Sequence, residues 1–261
     1  MDKIISRSNE KIKSASLLKE SAAARREAGL FLLEGARLCG DAFDSGTEIV
    51  QAFFTAEAIE KYTRFVNDII ETTPECYEIT EEISARLSDT RSPQGVFCVC
   101  KTLDKDENGN KIDFNGRYIA LENIQDPSNL GSICRTAEAL GLSGLIVSGG
   151  CDIYNPKALR AAMGSSLRLN IVETENLPEL LIFVFQKGML TIASTISKKA
   201  IDIRRFETKG GAVCVIGNEG SGLSKETLDA CEAKVTIPMK GKAESLNASA
   251  SAAIIMWELM K

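Results

Sequence analysis

The stretch that most constrains the fold is the C-terminal segment 235–259, VTIPMKGKAESLNASASAAIIMWEL. Its first residues have strand character, but Pro238 cannot donate a ladder hydrogen bond, so the strand must end there or lie at a sheet edge. Gly241 permits a turn, and Ser245 and Asn247 are both good N-caps for the helix that follows. A strand, a polar loop and exposed helix N–H groups in this order are typical of the ligand-binding edge of an open α/β sheet.

The helix itself begins with a run of Ala and Ser residues, whose small side chains let another backbone come very close. Ile254 and Trp257 are predicted to form its apolar side, and Glu258 and Lys261 its polar side. The alternative to a ligand site is a C-terminal helix that only closes the core.

Strand and helix patterns alternate along the rest of the chain, which predicts an α/β fold. The segment 103–115, LDKDENGNKIDFN, is polar and has little to bury, so it is the clearest linker. It separates a first domain, residues 1–102, from a second domain, residues 116–261. The first domain is predicted to begin with a basic helix over 8–28, and the second to include a strand over 168–172.

The charge distribution sets a limit on nucleic-acid binding. The net charge is −5 over 261 residues, with seven Lys/Arg against four Asp/Glu in residues 1–28 and eight against seventeen in residues 29–116. RNA binding would therefore have to rely on local basic patches. The helix over 8–28 is either a basic arm that contacts a polyanion or a solvated surface helix.

Several classes of site and location are disfavoured by composition. The chain has no histidine and its eight cysteines form no C-x-x-C pair, which argues against a metal site and predicts reduced, structural thiols. The missing histidine also excludes Ser-His and Cys-His chemistry. No apolar run reaches membrane-spanning length and the N-terminus lacks a secretory pattern, so we expect a cytoplasmic protein with no membrane partner.

Two further polar loops follow predicted strands. Residues 123–136 read NIQDPSNLGSICRT and lead into a helix, so that Asn129 and Arg135 lie at or near its start. Residues 216–224 read IGNEGSGLS, with three glycines that permit close backbone approach. The second loop is neither a P-loop nor a G-x-G-x-x-G fingerprint.

In this combination and order, the loops resemble the SpoU (TrmH) family of SPOUT methyltransferases, which methylate ribose 2′-hydroxyl groups of RNA. DPSNLGxxxRTA (126–137), GNEGSGL (217–223) and IPMxGxxESLNAS (237–249) match the family's three motifs, and NPK with RAAMG (155–164) follows its pattern. The resemblance covers the chain from Gly116 to its C-terminus.

The first domain resembles the family more loosely. FLLEG (31–35) and SPQGV (92–96) are similar to the ribosomal-protein L30e-like substrate-binding domain found in family members. The resemblance therefore implies a small L30e-like α/β domain followed by a SPOUT α/β domain with a deep trefoil knot. It also implies a homodimer whose active site draws on both subunits.

The resemblance further implies that S-adenosylmethionine (AdoMet) binds in the knot, held mostly by backbone. The residues expected to contact it are Gly217, Asn218, Ile237, Met239 and Leu246.

The same resemblance supplies the expected catalytic residues. Family proposals make Arg135 the base, but a guanidinium stays protonated in proteins and is therefore a poor base. We favour a role for Arg135 in holding the adjacent phosphate and stabilising developing alkoxide charge. Asn129 and Ser245 would orient the substrate, Asn247 would brace the loop, and Glu219 would accept a hydrogen bond from Arg135 or the cofactor amine.

The function implied is AdoMet-dependent RNA 2′-O-ribose methylation, with ribosomal RNA favoured by the two-domain layout. The alternatives are a transfer-RNA ribose methyltransferase and a catalytically silent protein that binds RNA or assists ribosome assembly. The candidate phosphate contacts, besides the basic residues of 1–28, are Arg91, Lys157, Arg160 and Arg168.

Overall fold

The computed structural model describes residues 1–103, 112–197 and 199–261. These residues form two compact units. The N-terminal unit comprises residues 1–103 together with 154–167, and the C-terminal unit comprises the other described residues. Residues 104–111 of the predicted linker lie outside the described residues, and the domain boundaries stay a prediction.

The chain up to residue 103 contains five strands and six helices among its described residues. They are β1 (Asp2–Ile4), α1 (Glu10–Glu20), α2 (Ala22–Ala28), β2 (Leu30–Glu34), α3 (Ala36–Asp44), β3 (Ile49–Thr55), α4 (Ala56–Lys61), α5 (Thr63–Thr72), β4 (Glu75–Ile79), α6 (Glu81–Leu87) and β5 (Val96–Lys101).

The chain from residue 112 onwards alternates strands and helices more regularly. Its elements are β6 (Arg117–Glu122), α7 (Pro127–Ala139), β7 (Gly144–Ser148), α8 (Pro156–Ala162), α9 (Ser165–Arg168), β8 (Ile171–Glu173), α10 (Leu177–Gln186), β9 (Leu190–Ser194), β10 (Ile201–Asp202), β11 (Ala212–Ile216), α11 (Lys225–Ala230), β12 (Ala233–Thr236) and α12 (Ala248–Leu259).

The N-terminal unit is built on a mixed five-stranded sheet in the order β1-β4-β3-β5-β2. β4 is parallel to β1 and β3, whereas β5 is antiparallel to β2 and β3. Helices α1 and α6 cover one face, where Ile12, Leu32, Phe53, Leu87 and Phe97 are buried together. The predicted single helix over 8–28 is wrong: Ser21 has an extended backbone (φ −122°), and its side chain caps a second helix.

Residues 154–167 belong to the same unit although they are distant in sequence from the rest of it. The Tyr154 ring stacks on Phe31 with 4.4 Å between centroids, and the Tyr154 hydroxyl accepts a hydrogen bond from the Leu103 N–H at 2.7 Å. Arg160, in α8, forms an ion pair with Asp89 at 2.6 Å. Aromatic stacking and charge therefore both hold this segment in place.

The C-terminal unit is a seven-stranded, fully parallel sheet in the order β10-β12-β9-β11-β6-β7-β8. Every residue of β11 is buried, as expected for a central strand of a sheet covered on both faces. This confirms the predicted α/β fold. The predicted strand over 168–172 is wrong at its start, because Ser165–Arg168 is helical and the strand is Ile171–Glu173.

The last strand and helix are arranged largely as the sequence indicates. β12 ends at Thr236, two residues before Pro238, and α12 begins at Ala248 with Asn247, not Ser245, as its N-cap. No helix in the described part of the chain is long and apolar enough to cross a membrane.

The prediction for the apolar side of α12 is wrong for a single chain. Ala252, Ile255, Met256 and Leu259 form its buried face, and the helix packs against α7. Ile254 and Trp257 are 38% and 61% exposed. The helix is thus apolar on two sides, of which the chain covers one.

Candidate active site

Three loops emerge from the carboxyl ends of parallel strands in the C-terminal unit. They follow β6, β11 and β12 and span residues 123–126, 217–224 and 237–247. β6 and β11 are direct neighbours, with Leu121 opposite Ile216. This edge is the usual ligand-binding edge of an open parallel sheet.

The loop after β11 is a closed hairpin. The backbones of Asn218 and Gly222 exchange two hydrogen bonds of 3.0 Å, and the Asn218 side-chain oxygen accepts from the N–H groups of Gly220 and Ser221. A Cβ added at Gly217 would lie 2.4 Å from the Gly222 carbonyl carbon. Gly217 is thus required by the hairpin itself, because a side chain there would meet the loop's own backbone and not an open ligand space.

Glu219, at the tip of this hairpin, is bound to the start of α7. Its carboxylate accepts hydrogen bonds from the backbone N–H groups of Gln125 (3.1 Å) and Asp126 (3.2 Å) and from the Asn129 side-chain Nδ2 (2.9 Å). No bond joins Glu219 to Arg135 in the described part of the chain. Of the two donors expected for Glu219, Arg135 and the cofactor amine, Arg135 is thus not bound to it among the residues that the structure describes.

Asn129 extends the connection to the third loop. Its Oδ1 accepts from the Asn247 side-chain Nδ2 at 2.9 Å, and the Asn247 Oδ1 accepts from the N–H groups of Ser249 and Ala250. A carboxylate only accepts and a backbone N–H only donates, so both amides have a single possible orientation. Every hydrogen bond therefore runs in one direction, from the start of α12 through Asn247 and Asn129 to Glu219.

This arrangement favours the ionised form of Glu219. Partial burial alone would raise its pKa, but the hydrogen bonds from Asn129 and the backbone N–H groups outweigh it and lower the pKa below the ordinary value. The carboxylate is therefore a fixed negative charge at neutral pH, which holds three N–H donors in place.

Arg135 lies on α7, six residues beyond Asn129, and its side chain is exposed. Among the described residues it makes no hydrogen bond or ion pair. Ser245 is likewise exposed, with no side-chain hydrogen bond within the described chain. Both side chains are thus available to a substrate, whereas Asn129 is 6% exposed and already bonded at both ends of its amide.

The residues of the third loop fit the predicted cofactor. Met239 and Leu246 expose 37% and 38% of their surface, although they are large apolar side chains. Leu246 directly precedes Asn247, so its position is fixed by the amide connection. Apolar side chains beside a loop rich in backbone polar groups suit a nucleoside with a polar tail. Ile237, also predicted to contact AdoMet, is partly buried.

The predicted phosphate contacts differ in their availability. Arg160 pairs with Asp89 and Arg168 with Glu138. Arg91 and Lys157 are exposed, and within the described chain their side chains have no partner.

The basic residues of 1–28 are mostly committed to intramolecular contacts. Lys3 pairs with Glu78, Arg7 with Glu82, Lys11 with Glu75 and Lys13 with Glu10, while Lys19 donates to two backbone carbonyl oxygens and Arg25 is buried. Of the seven, Arg26 is the one whose side chain lacks a partner among the described residues. This pairing favours the interpretation of a solvated surface helix over a basic arm.

Sequence reasoning missed three residues that shape these loops. Asn123 has a left-handed backbone (φ 56°), and its carbonyl accepts from the Asn218 side chain at 2.9 Å. The Gln125 side chain donates to the Asn123 Oδ1 at 2.7 Å. Glu122 ends β6 and bonds to Ser224. The only sequence signal for them was their position at the end of a strand.

A comparison with protein families identifies the C-terminal half. Residues 116–257, more than half of the chain, match the model of the SpoU rRNA Methylase family. The chain belongs to the SpoU rRNA methylase family. Residues 9–98 match the MRM3-like substrate binding domain.

Relatives of known name support this assignment over nearly the full length. The chain is 28% identical over 260 residues to the 23S rRNA (guanosine(2553)-2′-O)-methyltransferase RlmP of Bacillus subtilis, which covers 99% of each chain. The SpoU methyltransferase AviRb of Streptomyces viridochromogenes, solved in complex with AdoMet, superimposes with a TM-score of 0.87 at 25% identity and covers 97% of each chain.

A solved structure named as a tRNA modifying enzyme matches a smaller part of this chain. The A. aeolicus TrmH/SpoU tRNA modifying enzyme is 26% identical with a TM-score of 0.51, and covers 56% of this chain and 74% of that one. Together the comparisons confirm the predicted family, the class of AdoMet-dependent RNA 2′-O-ribose methyltransferases and AdoMet as the cofactor.

Proposed function

We propose that this protein methylates a ribose 2′-hydroxyl group of large-subunit ribosomal RNA, in the cytoplasm. The observation that carries the proposal is the hydrogen-bonded connection Asn247–Asn129–Glu219, which joins the three strand-end loops that bear the family motifs. Such a connection fixes the backbone around a ligand before it binds, which reduces the cost of ordering the site.

Arg135 is the residue that we assign to the reacting hydroxyl. Bound AdoMet supplies an electrophilic methyl group, so the protein has to place a ribose oxygen in line with it and stabilise the charge that develops there. An exposed, unpaired guanidinium suits both the neighbouring phosphate and this oxygen. A proton acceptor role does not suit it, because a guanidinium is always charged in proteins and has no lone pair to accept a proton.

Asn129, Glu219 and Asn247 act in this proposal as positioning residues. Their polar groups are occupied by one another, so they hold α7 and the start of α12 in register. Ser245 is free to orient the ribose or its phosphate. Gly217 and Asn218 present backbone, and Ile237, Met239 and Leu246 present apolar surface, to AdoMet.

Ribosomal RNA is favoured over transfer RNA by the extent of the similarity. RlmP, named for 23S rRNA, covers both units of this chain, whereas the tRNA modifying enzyme covers 56% of it. The N-terminal unit is therefore the part that we associate with the choice of substrate. Arg91 and Lys157 are its proposed phosphate contacts.

The functional form is proposed to be a homodimer, with the last segment of each chain threaded into a trefoil knot. The exposed Ile254 and Trp257 on α12 support an interface, because adjacent large apolar side chains one turn apart mark contact surfaces. A Trp257→Lys variant should then become monomeric while keeping its fold. Light scattering at micromolar concentration that finds the wild-type chain monomeric would contradict the dimer.

The methylation test uses purified enzyme, tritiated AdoMet and ribosomal RNA from a strain that lacks the enzyme, with primer extension at low nucleotide concentration to locate the modified ribose. We expect one methyl group per large-subunit RNA and none on an oligonucleotide with a 2′-deoxy target. Methyl transfer to the deoxy substrate would mean that a base is the target. AdoMet binding by calorimetry without any transfer would favour the silent RNA-binding alternative, and transfer to tRNA alone would contradict the ribosomal assignment.

A further inference from the structure

The carboxylate of Glu122, to which we have assigned no catalytic or binding role, accepts three hydrogen bonds. Glu122 ends β6, one residue beyond Leu121, which pairs with Ile216 at the end of β11. Its Oε2 accepts from the Ser224 N–H at 2.8 Å, and its Oε1 accepts from the hydroxyl groups of Ser224 and Thr227, each at 2.6 Å. Glu122, at the end of β6, therefore holds the loop that follows the neighbouring strand β11.

The loop 217–224 is fixed at its start, near its tip and at its far end. At its start, Gly217 continues β11, whose register is set by the sheet. Near its tip, the Asn218 side chain donates to the Asn123 carbonyl, and Glu219 is bound to the start of α7. At its far end, Ser224 caps α11 and is bound to Glu122. Leu223, the residue before Ser224, also packs against the hydrophobic core, but Glu122 is the group that binds the Ser224 N–H and hydroxyl.

We propose that Glu122 is a positioning residue for AdoMet, because it holds the end of the loop 217–224 in the binding-competent conformation. The proposal rests on the proposed function in one respect, namely that this loop is part of the AdoMet site. Without the anchor, the loop would populate other conformations, and the apparent dissociation constant for AdoMet rises as the competent fraction falls. Once AdoMet is bound, the same conformation is selected again, so the rate at saturation changes little.

The geometry makes separate forecasts for two substitutions. Glu122→Ala removes both acceptor oxygens, and with them all three hydrogen bonds, and leaves the Ser224 N–H without its partner. Glu122→Gln keeps an oxygen for that N–H and turns an amide towards two hydroxyl oxygens, which accept hydrogen bonds as well as donate them. Glutamine should therefore restore most of the function that alanine removes.

Glu34 provides a matched control in the N-terminal unit. Its carboxylate accepts from the hydroxyl groups of Ser88 and Thr90 and from the Asp89 N–H, the same set of donors that Glu122 binds. Glu34→Ala therefore imposes a similar loss of hydrogen bonds, and in addition the loss of a 3.8 Å ion pair with Arg160, at a place that we do not assign to AdoMet.

The experiment measures AdoMet binding by calorimetry, methyl transfer at saturating AdoMet, and hydrogen exchange of the amides of 218–224 in the ligand-free protein. For Glu122→Ala we expect the AdoMet dissociation constant to rise about tenfold, kcat to stay within about twofold, and the loop amides to exchange at least about tenfold faster. For Glu122→Gln and Glu34→Ala we expect dissociation constants within about threefold of wild type.

The outcomes separate this proposal from the proposed function. If wild-type protein fails to bind AdoMet, the cofactor site itself is misplaced and the proposal falls with it. If wild type binds but Glu122→Ala binds equally well, the positioning role alone is overturned. A fall in kcat with an unchanged dissociation constant would also overturn it, as would equal weakening by Glu34→Ala. If Glu122→Ala fails to fold, Ser224→Ala replaces it, because this variant loses the hydroxyl bond to Glu122 but keeps the N–H bond. Faster amide exchange in the loop and an AdoMet affinity below that of wild type would then support the proposal. Wild-type exchange and affinity would overturn it.

Discussion

Replacement of Asn129 by aspartate tests the one-way hydrogen-bonded connection at its centre. The two side chains have nearly the same shape, but the substitution turns the Nδ2 that donates to Glu219 at 2.9 Å into an acceptor. Two carboxylates would then face each other with no proton between them. The variant also keeps the oxygen that accepts from Asn247, so the change is confined to a single contact.

At neutral pH, the carboxylates of the introduced aspartate and of Glu219 can either both stay ionised or share one retained proton, and each state has a free-energy cost. Repulsion between two ionised carboxylates about 4 Å apart is about 4 kcal/mol at an effective dielectric constant of 20, and solvent around the exposed Glu219 reduces it to about 2 kcal/mol. The loss of a hydrogen bond to a charged group adds about 1.5 kcal/mol or more. The pair can avoid the repulsion by keeping one proton, which for a group of ordinary pKa about 4 costs about 4 kcal/mol at pH 7. We therefore expect a loss of about 3 kcal/mol in the free energy of unfolding at pH 7.

The balance between charge repulsion and the cost of keeping a proton also predicts how the stability of Asn129→Asp depends on pH. At pH 5 a retained proton costs only about 1.4 kcal/mol, and the introduced carboxyl group, once protonated, again donates to Glu219. The native variant then binds more protons than its unfolded chain, so its stability relative to wild type falls as pH rises from 5 to 7. Wild type behaves in the opposite way: the lowered pKa of Glu219 contributes stability that is present above its ordinary value of 4.5 and is lost as pH falls below it.

Urea unfolding at pH 5 and pH 7, followed by tryptophan fluorescence, measures both effects. The chain has one tryptophan, Trp257 in α12, so the signal reports on the unit that contains the substitution. Because Trp257 is also our proposed dimer contact, all variants are compared at one protein concentration. Asn155→Asp is the control for an Asn-to-Asp change, because Asn155 caps α8 and aspartate caps a helix equally well. Since Asn155 lies in the N-terminal unit, the unfolding of this control is followed by far-UV circular dichroism. If Asn129→Asp lowered the free energy of unfolding by less than about 1 kcal/mol at pH 7, or by the same amount at both pH values, Asn129 would not be donating to Glu219.

Three further expectations concern the assigned roles. Arg135→Ala should reduce kcat by about a hundredfold or more while AdoMet affinity in calorimetry stays the same, since the guanidinium acts on charge that develops only in the transition state; near-normal turnover would take it out of catalysis. Leu246→Arg should weaken AdoMet binding about tenfold or more and leave RNA retention on filters unchanged, because it replaces apolar surface with a charge; equal loss of both would place it elsewhere. Removal of Arg91 or Lys157 should each lower the slope of log affinity against log salt by roughly one unit, whereas the already paired Lys13 should not.

The sequence predicted the architecture well because its strands are short apolar runs separated by clear turn chemistry. It failed where two local signals competed. Ser21 has helix formers on both sides, and only its capping of the second helix shows that the chain breaks there. The helix Ser165–Arg168 was predicted in part as a strand because four residues are too few for a period to be read.

The candidate site was predictable in its residue types but not in its connections. Motif order placed Asn129 at a helix start and Glu219 and Asn247 on strand-end loops, yet no sequence pattern states that the Asn129 amide bridges the other two side chains. Glu219 was expected to accept from Arg135 or from the cofactor amine, and within the chain it accepts from two backbone N–H groups and the Asn129 amide. Likewise, a glycine in a ligand loop suggests space for the ligand, whereas Gly217 makes space for its own hairpin.

Charge was the least predictable property, because ion pairs depend on tertiary contacts. The basic residues near the N-terminus meet Glu75, Glu78 and Glu82, which lie more than sixty residues away in the sequence. Arg160 similarly meets Asp89 across seventy-one residues. The net charge of a sequence segment therefore does not predict which Lys and Arg side chains are left without an acidic partner and can bind RNA phosphates.

The incorporation of residues 154–167 into the N-terminal unit has a consequence for protein engineering. A substrate-binding module cut after residue 103 would leave Phe31 without the ring of Tyr154, and Asp89 without Arg160. A chimaera that exchanges this module between relatives must therefore transplant two separate stretches of sequence, and both must come from the same parent. Recombination at the linker alone would pair one parent's aromatic and acidic residues with the other parent's helix, so natural shuffling of this module is expected to be rare.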